Sequence, residues 1–203
     1  MAGLLRLSRG IDALTAFIGR TASWAILAAI LVSAVNAIVR KAFGVSSNAW
    51  LELQWYLFGA VFMLCAPWTL AQNEHIRIDI LSSRLPERAR NIVEMFGHLV
   101  FLLPFALVMT YLSWPFFRSS FVSGEASSSP GGLLIWPAKA LILAGFALLL
   151  LQWLSEVIKR IAVMRGLIED EYAAAGHAAA AEAEVERLLA DEPRHSPPSP
   201  PER

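Results

Sequence analysis

Ala140-Leu141-Ile142-Leu143-Ala144-Gly145-Phe146-Ala147-Leu148-Leu149-Leu150-Leu151 offers no side chain that hydrogen-bonds. With its flanks the run reaches from about residue 133 to Ile158. As a helix it is long enough to cross a bilayer, because about 20 residues at 1.5 Å each span about 30 Å of hydrocarbon. Lipid has no partners for backbone N–H and C=O groups, so such a run must satisfy them internally as a helix. Working outward, three more apolar runs occupy residues 21–39, 49–70 and 92–117. The chain therefore reads as an all-α integral membrane protein with four transmembrane helices.

Composition agrees. The 203 residues are 56% hydrophobic and 17% charged, with a mean hydropathy of +0.52, which excludes an ordinary soluble globule. Formal net charge is zero, and no basic stripe points to nucleic acid. Cys65 is the only cysteine; an internal disulfide is impossible, and a lone thiol within a span is expected to fill space as a small apolar group.

Outside the spans, residues 1–20 set Leu4, Leu7, Ile11, Leu14 and Phe17 among Arg6, Arg9, Asp12 and Arg20. This spacing predicts an amphipathic helix lying in the membrane interface. The central loop, Gln72 to Arg90, is expected as a short helix or extended linker, and Arg118 to Gly132, rich in Ser and Gly, as a solvent loop. Residues 159–203 form an Ala- and Glu-rich tail that ends in a proline-rich stretch expected to be disordered.

Four spans put both termini on one side. That side carries Arg6, Arg9, Arg20, Arg77, Arg84, Arg88, Arg90, Lys159, Arg160 and Arg165; the other carries Arg40, Lys41, Arg118 and Lys139. Ten basic residues against four predict cytoplasmic termini by the positive-inside rule. Trp24, Trp50, Trp114 and Trp136 lie near span ends, where indole rings anchor at the interface.

Function must come from the residues that interrupt apolarity, because an ionisable group at the centre of a span costs about 2.5–3.5 kcal/mol. Glu52 and Gln54 lie within a turn of the outer interface, where an anchoring or packing role is expected. Lys139, one turn into the fourth span, is expected to snorkel outward; the alternative is a pairing with Glu52. Glu94 and His98 share a helix face and are expected as an interfacial hydrogen-bonded pair. His98 is the only histidine within a span, which argues against a haem bundle needing two facing ligands. No phosphate loop, nucleophile elbow or buried carboxylate pair is visible, so neither an enzyme nor a cofactor site is expected.

The stretch from Ala49-Trp50-Leu51-Glu52-Leu53-Gln54-Trp55 to Ala60, followed by Glu74-His75-Ile76-Arg77-Ile78-Asp79-Ile80 and Leu85-Pro86, resembles the small membrane subunit of the tripartite ATP-independent periplasmic (TRAP) transporters. Gly124-Glu125, Pro130-Gly131-Gly132 and Trp136-Pro137-Ala138-Lys139 are similar to a branch associated with organic-acid uptake. The resemblance, which covers about residues 22–161, implies a bacterial inner-membrane subunit. Its implied partners are a large multi-span permease subunit and a periplasmic solute-binding protein. It also makes Trp50, Glu52, Gln54, Trp55, His75, Arg77, Asp79, Trp136 and Lys139 candidates for the partner interface. Many members carry two consecutive acids where this chain has Glu52 followed by Leu53. The competing reading is a stand-alone proton-coupled transporter that works through Glu52.

Overall fold

In the computed structural model, which describes residues 2–45, 47–72 and 87–168, the chain is helical and has four helices long and apolar enough to cross a membrane. Helix α1 covers Ala2–Phe43 and α2 Asn48–Gln72. A third rod is built from α3, Glu87–Gly97, a π-helical turn, His98–Leu102, and α4, Leu103–Ser123. Helix α5 is Trp136–Met164. Among the described residues the only β pairing is an isolated antiparallel bridge, Ala126 to Leu134. The connections 44–47, between α1 and α2, and 124–135, between α4 and α5, lie at one end of the bundle, the loop end. Ala2 and Met164 mark the other, the terminal end.

From Ala2 the amphipathic segment is helical, and it passes into the first span with no intervening turn. No proline occurs before Pro67, so nothing in the first forty residues deprives the helix of a donor. The 42 residues of α1 extend about 63 Å at 1.5 Å each, far more than the hydrocarbon thickness. The first turns of α1 therefore project past the end of α2. Helix α4 likewise runs beyond Phe117 to Ser123, because polar side chains at an interface do not break a helix. What stops it is Gly124, at φ 62°, a left-handed conformation that glycine adopts without strain.

Helix α5 is the hub. It packs against α1, α2, α3 and α4, and 33% of its most apolar window is buried, against 6% for each of the other three spans. Two glycines set the closest approaches. A Cβ on Gly145 of α5 would stand 2.8 Å from the Met63 carbonyl oxygen of α2. Pro67, buried one turn later, has no N–H for that carbonyl, so the kink-forming residue and the small residue face each other and the backbones approach closely, as small residues allow in membranes. Gly19 of α1 seats Trp68, whose Cβ would lie 2.8 Å from an added methyl. Beside it the Cys65 thiol donates to the Gly19 carbonyl at 3.3 Å, and Arg20 lies 5.9 Å from the Trp68 ring centre.

The π turn follows from Pro104. Its ring removes a donor and crowds the Val100 carbonyl; the helix widens, and Leu103 N–H reaches back to His98 O. That carbonyl also accepts the Trp153 indole N–H at 2.8 Å, which ties the widened turn to α5.

Candidate functional site

The charged groups of the bundle gather toward its two ends. At the loop end, residues 124–135 fold back as a hairpin: Ser127 N–H donates to Leu133 O at 2.9 Å and Ile135 N–H to Glu125 O at 2.9 Å. Helix α2 holds this hairpin. Glu52, only 8% exposed, accepts the Leu133 N–H at 2.7 Å on one oxygen and the Ser127 hydroxyl on the other. One turn away on either side, Asn48 donates to Pro130 O at 3.0 Å and Tyr56 to Leu134 O at 3.0 Å. Asn48, Glu52 and Tyr56 recur every four residues, so one face of α2 presents all three. Gly132 must lack a side chain, since a Cβ there would come within 2.8 Å of the Glu52 carboxylate and closer to Ser127.

Lys139 neither snorkels free nor pairs with Glu52. It binds Glu125 of the loop at 2.5 Å, and its ammonium lies 4.1 Å from the Phe116 ring centre. The hydrogen bond from Lys139 holds the Glu125 carboxyl below the usual carboxylate range. Trp136 packs edge-on against Phe121, ring centres 5.3 Å apart. The hairpin is thus fixed to α2 through hydrogen bonds and to α5 through an ion pair.

The remaining candidates separate. Trp50 and Trp55 are exposed on α2, Trp55 by 68%, and Gln54 is half-buried. His75, Arg77 and Asp79 lie outside the described residues, as do most of the central loop and the tail beyond Ile168.

The terminal end holds a denser network. Gln152, fully buried, accepts the Thr15 hydroxyl at 2.7 Å and donates to Asp12 at 2.8 Å and Glu156 at 3.0 Å. Asp12 also accepts the Ser155 hydroxyl at 2.7 Å, and Ser155 meets Ser8 at 2.7 Å. Lys159 closes the group, 3.3 Å from Asp12 and 2.5 Å from Glu156. On the other side of α5, Arg160 pairs with Glu94 of α3. A buried carboxylate requires partners of this kind, because removing one leaves an uncompensated charge worth about 3–5 kcal/mol.

Sequence reasoning misses this network, although a signal exists. Ser8, Asp12 and Thr15 recur at helical spacing on α1, and Gln152, Ser155, Glu156 and Lys159 do so on α5; two polar faces in otherwise apolar helices are expected to meet. The geometry gives each carboxylate hydrogen-bond or ionic partners within the bundle. Among the described residues, no group of three or more His, Cys, Asp or Glu side chains is placed to hold a metal ion. The arrangement locks helices together and fixes a loop.

Comparison with known proteins agrees with this architecture. The family model described as "Tripartite ATP-independent periplasmic transporters, DctQ component" matches residues 7–163. No curated protein matches the chain, and neither does any solved structure. The match takes in all four membrane-crossing helices, including the loop that Glu52 holds and the network around Gln152, and the chain belongs to the DctQ-component family of tripartite ATP-independent periplasmic transporters.

Proposed function

We propose that this small subunit is a scaffold: it braces a large permease subunit in the bacterial inner membrane and helps dock a periplasmic solute-binding protein that delivers organic acids. The observation that carries the reading is the internal use of the charged groups inside the bundle. Asp12, Glu156 and Lys159 satisfy one another, Arg160 holds Glu94, and Glu52 is occupied by loop donors. An organic anion crossing the membrane needs arginine, helix N-termini or unwound backbone converging at mid-membrane depth. The four helices here spend their polar groups on each other instead.

The basic residues counted from the sequence favour a cytoplasmic terminal end and a periplasmic loop end. On that orientation the anchored hairpin 124–135 faces the compartment of the binding protein, already ordered, and docking it forfeits little conformational entropy. The exposed Trp50 and Trp55 of α2, with Gln54 beside them, are the proposed contacts to the large subunit, and Trp136 and Lys139 support the docking loop. His75, Arg77 and Asp79 remain proposed partner contacts on sequence grounds.

Deleting the chain tests the proposal. Uptake of the solute should disappear while the isolated binding protein keeps its affinity; undiminished uptake would overturn the scaffold role. The competing stand-alone reading makes a different demand. Vesicles containing this chain alone would have to show substrate-driven proton flux that Glu52→Gln abolishes, whereas the scaffold predicts no flux from either form.

A further inference from the structure

At the terminal end a groove of about 620 Å³ opens between α1, α2 and α5, with Ser8, Arg9, Asp12, Trp68, Gln72 and Lys159 among its walls. We propose that this groove binds the phosphate headgroup of an anionic phospholipid. Its depth is right for one. Trp136, at the start of α5, and Lys159 are separated by about 35 Å along the helix at 1.5 Å per residue, so the groove lies where the opposite headgroup layer begins.

Its donors are also right. Asp12 would repel a phosphate, but its carboxylate is already engaged by Gln152, Ser155 and Lys159, and the second acid of the cluster, Glu156, shares Lys159. Arg9 makes no ion pair among the described residues; its guanidinium, in the groove wall, offsets the one negative charge by which Asp12, Glu156 and Lys159 are in excess and supplies donors to a phosphate. Guanidinium matches phosphate geometry with two parallel donors. The Trp68 indole N–H, buried beside the groove, has no acceptor among the described residues. Gln72 adds an amide donor, and Leu5, Ala16 and Ala71 line the remainder with apolar surface suited to the first acyl carbons. Basic pockets between helices on the cytoplasmic side are where anionic headgroups settle.

The test uses the full chain reconstituted into phosphatidylcholine discs doped with phosphatidylglycerol, followed by extraction and native mass spectrometry of the retained lipid. Phosphatidylglycerol should be retained several-fold over its share of the mixture. Arg9→Gln should abolish that enrichment, Arg9→Lys should restore part of it, and Arg6→Gln, outside the groove, should leave it unchanged. Equal retention of both lipids by the wild-type chain, or enrichment that survives Arg9→Gln, would overturn the proposal. Loss of the bound lipid to millimolar inorganic phosphate would overturn the lipid assignment in favour of a soluble phosphate. Enrichment that appears only after Glu169→Gln and Asp170→Asn would mean that the chain's own acidic tail is the occupant, and would equally sink it.

Discussion

Glu52 is a carboxylate in an apolar helix whose two oxygens each hold a point on a loop more than seventy residues away in sequence. An ionised acceptor makes such bonds stronger than a neutral one would. Glu52→Gln keeps an acceptor for the Leu133 N–H but replaces the ionised oxygen that accepts from the Ser127 hydroxyl with an amide NH2, so the charge-assisted bonds are lost. We expect the anchoring to weaken by about 1–3 kcal/mol, with faster exchange of the Leu133 amide and quicker proteolysis between Ser127 and Gly132; unaltered protection at Leu133 would refute the anchoring role. The sequence singles out Glu52, since a charge in an apolar run needs a reason. Its partners are not legible there, because they lie in a hairpin with no periodicity to read. For the same reason the sequence points Lys139 toward water or Glu52, when Glu125, fourteen positions upstream in that loop, is its partner.

Among the elements, α5 carries most of the burden, with one face for α1 and another for α3. The Arg160–Glu94 pair, 4% and 16% exposed, isolates the second contact. Arg160→Met alone should destabilise the bundle by up to about 3 kcal/mol, because the largely covered Glu94 carboxylate loses an ionic partner, and adding Glu94→Leu should recover most of that loss; denaturation in mixed detergent reads both. Additive losses would mean that the two residues act separately. The hairpin 124–135 has its own pH dependence. Glu125 titrates below its ordinary value of 4.5, so its contribution is complete above that pH and fades as the pH falls through the depressed value. Hairpin protection, corrected for intrinsic exchange, should therefore drop on acidification below about pH 4.5, and Lys139→Met should flatten that dependence. Span positions are legible from apolar run length alone. The π turn is not, because Pro104 announces a disturbed helix without saying whether it bends, widens or breaks.

For the molecule as a whole, wide apolar surfaces on α1 and α4 stay uncovered, with Trp24, Phe17, Phe105 and Tyr111 among the exposed residues, as a surface that faces hydrocarbon requires. The fold class follows from the spans, whereas the network joining α1 to α5 is announced only by the polar faces of those two helices, and which side chain meets which is a matter of packing that spacing does not fix. Asp12 and Ser8 find their partners 140 and 147 positions later. A ribosome adding about 5–20 residues per second completes the opening rod on the order of ten seconds before the segment that neutralises it emerges. During that interval Asp12 has no counterpart, at a penalty of up to about 3 kcal/mol near lipid. Nascent chains that terminate before Trp136 should consequently be cleared by membrane proteases several-fold faster than the finished product, and Asp12→Leu should slow that clearance. Pulse-chase labelling would measure both, and α5 would prove to be the checkpoint for α1.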